Sequence, residues 1–169
     1  MWVASLLITV WILLPTYIPN NVAVLVGGGR PLDGGRRYRG QRLLGDGKTL
    51  RGSVGGALAG LLVALGLNVL RPVVGPLVGI GLPPFPPAVA VALPVGAIGG
   101  DIAGSFLKRR AEYARGAAIP LLDQLDFLVC AVLLSLLVAH GWVPPTATPT
   151  LAVIALVITH LLQHGSQTH

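Results

Sequence analysis

Long apolar runs alternate with short charged stretches along this chain. The alternation predicts membrane-spanning helices rather than the one-sided helices of a soluble core. Met1 to Pro19 carries no charge, and Val22 to Val26 continues apolar, so the end of this first helix is soft; Pro15 and Pro19 are expected to kink or end it. Gly27 to Arg51 then turns polar and glycine-rich, which predicts a folded loop with one short helix. A second apolar run covers 52–70 and a third covers 88–107, joined by a Pro/Gly-rich connection over 71–87 whose middle, Val73 to Ile80, dips into the interface. Lys108, Arg109 and Arg110 stop the third run, and 108–119 reads as a second charged loop. Pro120 opens a fourth run to 140, and a fifth covers 147–162 after a proline-rich turn. A spanning helix needs about 20 mostly apolar residues, so the expected architecture is a single all-α integral membrane domain over 1–169, with about five transmembrane helices.

Small residues recur every fourth position in two of these runs. Gly52, Gly56 and Gly60 form one stripe, and Gly96, Gly100 and Gly104 form another. Such stripes let a neighbouring helix approach closely. Charge sets the orientation. Seven basic residues lie in the loop after the first helix, one after the second, four after the third and none after the fourth, which accounts for all twelve. With five spans both basic loops fall on one side. The positive-inside rule makes that side cytoplasmic, with the N-terminus outside and the C-terminus inside a cell membrane.

Composition narrows the function. The chain is 53% hydrophobic and 11% charged, with a net charge of +6. Basic residues gathered beside spanning helices point to membrane topology, not nucleic acid. The single cysteine, Cys130, excludes an intramolecular disulfide and an all-cysteine metal site, and reads as a packed small residue. The tryptophans read as interface anchors, and His140 as interfacial.

The chemistry collects between Gly100 and Phe127, which holds four of the six carboxylates. Asp123 and Asp126 lie three apart in the first turns of the fourth helix, on one face. Carboxylates without a nearby histidine suit a hard cation, and Mg2+ takes a few of them together with substrate phosphates. Asp101, Ser105 and Lys108 form a stripe at the end of the third helix. Gly45-Asp46-Gly47-Lys48-Thr49 resembles a phosphate loop but is no Walker motif, because Arg42 stands where its first glycine belongs. Bare backbone N–H groups, Lys48 and Thr49 at a helix start still suit an anion. Metal-type carboxylates beside lysines and arginines suit phosphoryl or nucleotidyl transfer, where catalysis is mostly positioning and charge neutralisation.

The two loops resemble those of the archaeal CDP-archaeol synthase family. One match runs from Pro31-Leu32-Asp33 through Arg42-Leu43-Leu44-Gly45-Asp46-Gly47-Lys48-Thr49 to Gly52. The other joins Gly100-Asp101, Ser105 to Arg110, Gly116, Pro120 and Leu122 to Phe127. The second is also similar to a shortened signature of the CDP-diacylglycerol synthases. The resemblance implies CMP transfer from CTP to 2,3-bis-O-(geranylgeranyl)-sn-glycerol 1-phosphate in the bilayer. CDP-archaeol and pyrophosphate would result, with Mg2+ required. It implies Asp101, Asp123 and Asp126 as metal ligands, and Lys48, Lys108, Asp123 and Asp126 as the catalytic set. Asn20, Arg42, Gly45, Asp46, Gly47, Lys48, Thr49, Ser105, Lys108 and Arg109 are implied to hold the nucleotide and phosphates. The alternatives are a related synthase acting on another lipid phosphate, or a small anion transporter without chemistry. The CDP-alcohol phosphotransferase pattern fails, because Asp33-Gly34 continues Gly-Arg-Arg.

Overall fold

A computed structural model describes residues 2–38, 40–45, 47–110 and 120–142, with the side chains of 41 and 120–125 left out of the description. Four long helices and one small hairpin make up this part. They are α1 (Trp2–Leu25), β1 (Arg37–Tyr38), β2 (Gln41–Arg42), α2 (Leu50–Val78), α3 (Pro87–Arg110) and α4 (Pro120–Val138). Three of them, α1, α2 and α3, are long and apolar enough to cross a membrane. The chain is a helical membrane protein. The fifth span expected over 147–162 lies outside the described residues.

Two boundaries differ from the sequence reading. Neither Pro15 nor Pro19 ends α1, which runs on to Leu25. Each proline removes one helical N–H; Pro19 thereby frees the carbonyl of Pro15, and that carbonyl abuts Gly60 of α2. Nor does α2 stop at residue 70. It continues through Pro72 and Pro76 to Val78, and Gly79 caps it in the left-handed conformation at φ 66°. The 29 residues of α2 extend about 43 Å, well beyond the roughly 30 Å hydrocarbon layer. The connection expected over 71–87 is therefore short.

Both glycine stripes are helix contacts. A methyl on Gly52, Gly56 or Gly60 would strike the α1 backbone at Ala23, Pro19 or Pro15 in turn. One on Gly96 or Gly100 would strike the α4 backbone at Ala131 or Asp126 and Phe127. Small residues at these steps hold α1 against α2 and α3 against α4. The buried centre gathers Ile12, Phe85, Val89, Leu93, Ala97 and Leu128, while Leu58, Leu62, Val69, Leu133 and Leu137 are exposed on the outside, as lipid-facing positions require.

Away from the charged loops, the Leu82–Pro86 segment has prolines at 83, 84 and 86 and so few N–H donors of its own. Four consecutive carbonyls there accept side-chain donors: Leu82 from Arg71 (2.8 Å), Pro83 from Trp11 (3.1 Å), Pro84 from Trp142 (2.6 Å) and Phe85 from Asn68 (2.8 Å). Trp11 and Trp142 thus clamp a loop rather than simply anchor at the interface, while Trp2 is exposed.

Candidate active site

The loop after α1 contains no helix among its described residues. It is a hairpin organised by Asp33. The ends are pinned by a bridge between Pro31 and Thr49, with Leu32 N donating to Lys48 O and Leu50 N to Arg30 O. Between them β1 pairs antiparallel with β2, Arg37 opposite Arg42. The Asp33 carboxylate accepts from Gly35 N and Leu44 N, and takes both Nε and Nη2 of Arg42 at 3.2 and 2.7 Å. Its side chain is 1% exposed. The Arg42 guanidinium holds the Asp33 carboxyl well below the usual carboxylate range, with the two backbone donors adding to the effect against burial. Arg42, the residue expected to touch nucleotide, fastens the loop through this pair.

The hairpin docks on the end of α3. The Arg110 guanidinium lies over the Tyr38 ring at 4.4 Å and the Phe106 ring at 5.0 Å. Arg109 reaches the other side: its guanidinium sits where a methyl on Gly45 would touch it, at 3.5 Å. Gly45 adopts φ +93°, open to glycine at no cost. From there the chain turns, Lys48 N donating to Gly45 O, and enters α2. Thr49 is buried and caps α2, its hydroxyl accepting from Gly52 N at 3.1 Å. That hydroxyl serves the helix. Gly47 is exposed, and Asp46 lies outside the described residues.

This docking brings Lys48 to α3. Its Nζ is 2.5 Å from Asp101 Oδ2, with about a quarter to a third of each side chain exposed, 26% and 30%. Lys108, two turns further along α3, feels Asp126, Lys48, Asp101 and Arg109. Asp126, on α4, feels Asp101, Lys108 and Lys48 in return. Its carboxylate packs against Gly104 of α3, where any side chain would displace it. Ser105 stands half-buried on the same helix. Two lysines and two carboxylates from the α2 entrance, α3 and α4 therefore share one end of the bundle.

Asn20 belongs to the α1 side of this end. Its Oδ1 is buried and has no hydrogen-bond partner among the described residues. One turn back, the Tyr17 ring meets Phe127 of α4 edge-on at 5.0 Å. Asp123 lies on α4, but its side chain is outside the description. Among the described residues there is no group of three or more metal-type side chains; the expected trio of Asp101, Asp123 and Asp126 is represented by Asp101 and Asp126. Both are oxygen donors on facing helices, which suits a hard divalent cation that takes its remaining ligands from phosphate and water. Asp33 and Arg110 stand in the two matched motifs, but the sequence alone assigns neither of them a part in building the site. Asp33 followed by two glycines is the signal of a side chain folding back on its own turn, as Gly35 shows.

Fold and site together define a membrane protein with a polar, phosphate-suited centre at one end of its helices. The model of the CarS-like CDP-archaeol synthase family matches residues 2–167. A CDP-archaeol synthase of Halobacterium salinarum is 51% identical over 166 residues, covering 96% of this chain and 92% of that one. Those of Methanopyrus kandleri and Methanosarcina acetivorans are 51% and 42% identical, covering 80% and 89% of this chain and 72% and 90% of theirs. A solved structure, described as an intramembrane enzyme for archaeal membrane lipids biosynthesis, superposes with a TM-score of 0.72 at 36% identity, covering 92% of this chain and 91% of its own. The chain belongs to the CDP-archaeol synthase family.

Proposed function

We propose that this chain forms CDP-archaeol by transferring CMP from CTP to the phosphate of an isoprenoid glycerol ether, at the charged end of the bundle and on the cytoplasmic face. As a member of its family it is a CTP-using cytidylyltransferase of lipid synthesis. The observation that carries the residue-level reading is the Lys48–Asp101 contact with Lys108 and Asp126 around it. It joins the loop that resembles a phosphate cradle to the carboxylates that resemble metal ligands.

The reaction makes one bond and breaks one. An oxygen of the lipid phosphate attacks the α-phosphorus of CTP as the bond from that phosphorus to the bridging β-oxygen breaks, and pyrophosphate leaves with the electron pair. The nucleophile is already ionised, so no serine, cysteine or histidine is needed to activate it. Two polyanions must meet, so cations dominate the site. Lys48 and Lys108 neutralise the triphosphate oxygens. Arg109, held against Gly45, faces the same phosphates from the turn. Asp101 keeps the Lys48 ammonium at the mouth of the site until phosphate oxygens replace it as partner. Asn20 offers an amide with an unmet acceptor for the nucleotide. Asp101 and Asp126, with Asp123 on the same helix, would hold Mg2+. Bound there, the ion would draw charge from the triphosphate and from the leaving pyrophosphate.

Both substrates fit an end-of-bundle site, one arriving from water and one from the bilayer. The cytoplasmic assignment rests on the seven and four basic residues of the two loops. The test is turnover by the purified protein with Mg2+, labelled CTP and the geranylgeranyl ether phosphate. Lipid-borne label and pyrophosphate appear together in equal amounts, and both vanish with EDTA. Label that stays in the aqueous phase while CTP still protects the protein from heat would reject the lipid acceptor.

A further inference from the structure

A cleft of about 690 Å³ lies away from the carboxylates, between the hairpin loop and the neighbouring ends of α2 and α3. Leu32, Leu43, Leu50 and Phe106 supply apolar lining, while Arg30 and Arg36 supply the charge. Leu50 is the first residue of α2 and Phe106 lies in the last turns of α3, 54% and 41% exposed. The cleft therefore opens where the helices leave the membrane. Its one lining carboxylate, Asp33, is buried and committed to Arg42, so it offers an anion no repulsive face.

We infer that this cleft is the loading site of the lipid substrate, with Arg30 and Arg36 holding the phosphate monoester and the leucines and Phe106 holding the first part of the isoprenoid chains. The inference rests on the lipid phosphate being the acceptor. Three observations select an amphiphile over a nucleotide. Half of the lining is aliphatic, and its one aromatic ring, Phe106, already stacks with Arg110. Arg30 and Arg36, which pair with no carboxylate among the described residues, lie on the loop side, while the most exposed apolar lining, Leu50 and Phe106, lies on the helix side. That is the polarity of a headgroup in water above a tail in lipid. The cleft also shares a wall with the reacting centre. Leu32 N donates to Lys48 O across it, and Leu44 in its lining adjoins Gly45, against which Arg109 rests. A phosphate loaded here is one strand away from Lys48. A dianionic monoester also gains more from paired arginines than the monoanionic diesters of the bulk membrane do.

The experiment is steady-state kinetics of full-length Arg30→Gln, Arg36→Gln and the double variant in neutral detergent micelles, varying the lipid phosphate at saturating CTP and then the reverse. A parallel arm reads thermal protection by the lipid phosphate without CTP, so that binding is seen even if no product forms. Each single change raises the lipid KM at least threefold and the double change at least tenfold, with kcat and the CTP KM within twofold. Arg→Lys at both positions restores most of the affinity. Protection by the lipid phosphate falls in step with the lipid KM. An unchanged lipid KM, or a rise in the CTP KM instead, overturns the assignment. So does an effect seen only when the micelles carry anionic diester lipid, which would make the arginines a general membrane anchor. Protection by lipid that the variants lose, without turnover in any variant or in the unaltered protein, would uphold the cleft and reject the acceptor chemistry.

Discussion

The Asp126 carboxylate occupies the space that a methyl group on Gly104 would need. A glycine on one helix thus shapes the seat of a carboxylate on another. Gly100, one turn earlier, lets the α4 backbone itself come this close at Asp126 and Phe127. The two helices meet so tightly that the acidic side chain has one place to go. There it lies within the electrostatic reach of Asp101 and Lys108.

Gly104→Ala is therefore expected to move Asp126 off its seat. Overpacking of this kind costs about 1–3 kcal/mol, and product formation should fall at least tenfold. Gly99→Ala is the control, because nothing lies within 4 Å of its added methyl; helix propensity should leave that variant as stable or slightly more stable. Thermal unfolding in detergent and CDP-lipid formation measure the two effects. Equal activity in the two variants would show that the position of Asp126 is unimportant.

Lys48 and Asp101 separate function from stability. Both side chains are partly exposed, so their ion pair contributes at most about 1 kcal/mol to folding. Lys48→Met should shift the unfolding midpoint little. If Lys48 meets phosphate in the transition state, turnover should fall by about 10²–10³, the usual cost of one electrostatic contact at the reacting centre. A large loss of stability with a proportionate loss of activity would make Lys48 a structural residue.

Much of this arrangement is legible in the sequence, and what is not has physical reasons. Gly52, Gly56 and Gly60, and likewise Gly96, Gly100 and Gly104, announce close helix contacts, because a four-residue repeat of small side chains has one physical use in a membrane. Lys108 to Arg110 marks the end of α3 by charge. The hairpin was hidden. Its strands are two residues each, too short for any alternation to show, and the ion pair that organises it links positions nine apart. The run of α2 past residue 70 was hidden because Pro72 and Pro76 read as breakers. Their lost hydrogen bonds are tolerated at the helix end, where Arg71 and Asn68 instead bind the following loop. Of the carboxylate trio the sequence predicts, Asp101 and Asp126 lie at the same end of the bundle, and the side chain of Asp123 lies outside the described residues.

Asp33 yields a pH prediction. Its carboxyl is depressed in the folded protein by Arg42, so its ionisation stabilises the folded loop above the ordinary unfolded value of about 3.9. That contribution is lost as the pH falls below about 4. Arg42→Met removes the cation and leaves the carboxylate buried, which pushes its folded value up. The variant should be about 2–3 kcal/mol less stable near neutral pH. The gap to the unaltered protein should narrow on acidification, because the variant's buried carboxyl protonates and sheds its penalty first, while the unaltered Asp33, held ionised by Arg42, loses its contribution progressively below about pH 4. Proteolytic nicking of the 27–51 loop as a function of pH follows this directly. A gap that widens on acidification would assign the fastening to some other contact.

Asn68 and Phe85 provide the remaining test, at a site outside the charged cluster. The Asn68 amide donates to Phe85 O and accepts from Phe85 N, both at 2.8 Å. It replaces for that residue what a helix or sheet would supply. Pro83, Pro84 and Pro86 prevent the segment from forming its own ladder, so no neighbouring backbone group can take over. Asn68→Leu leaves a buried N–H and a buried carbonyl unpaired, at about 1–3 kcal/mol for each group. The unfolding midpoint should drop by several degrees. Phe85, packed against Trp11 at 6.5 Å and Trp142 at 5.6 Å, would loosen with the loop. Trp142→Phe is the milder companion, losing one donor to Pro84 O while keeping a ring. Both variants should retain the KM for CTP at temperatures where they stay folded, because neither residue belongs to the Lys48, Asp101 and Asp126 cluster. A raised CTP KM with an unchanged midpoint would mean that this clamp controls the charged end through the helices it ties together.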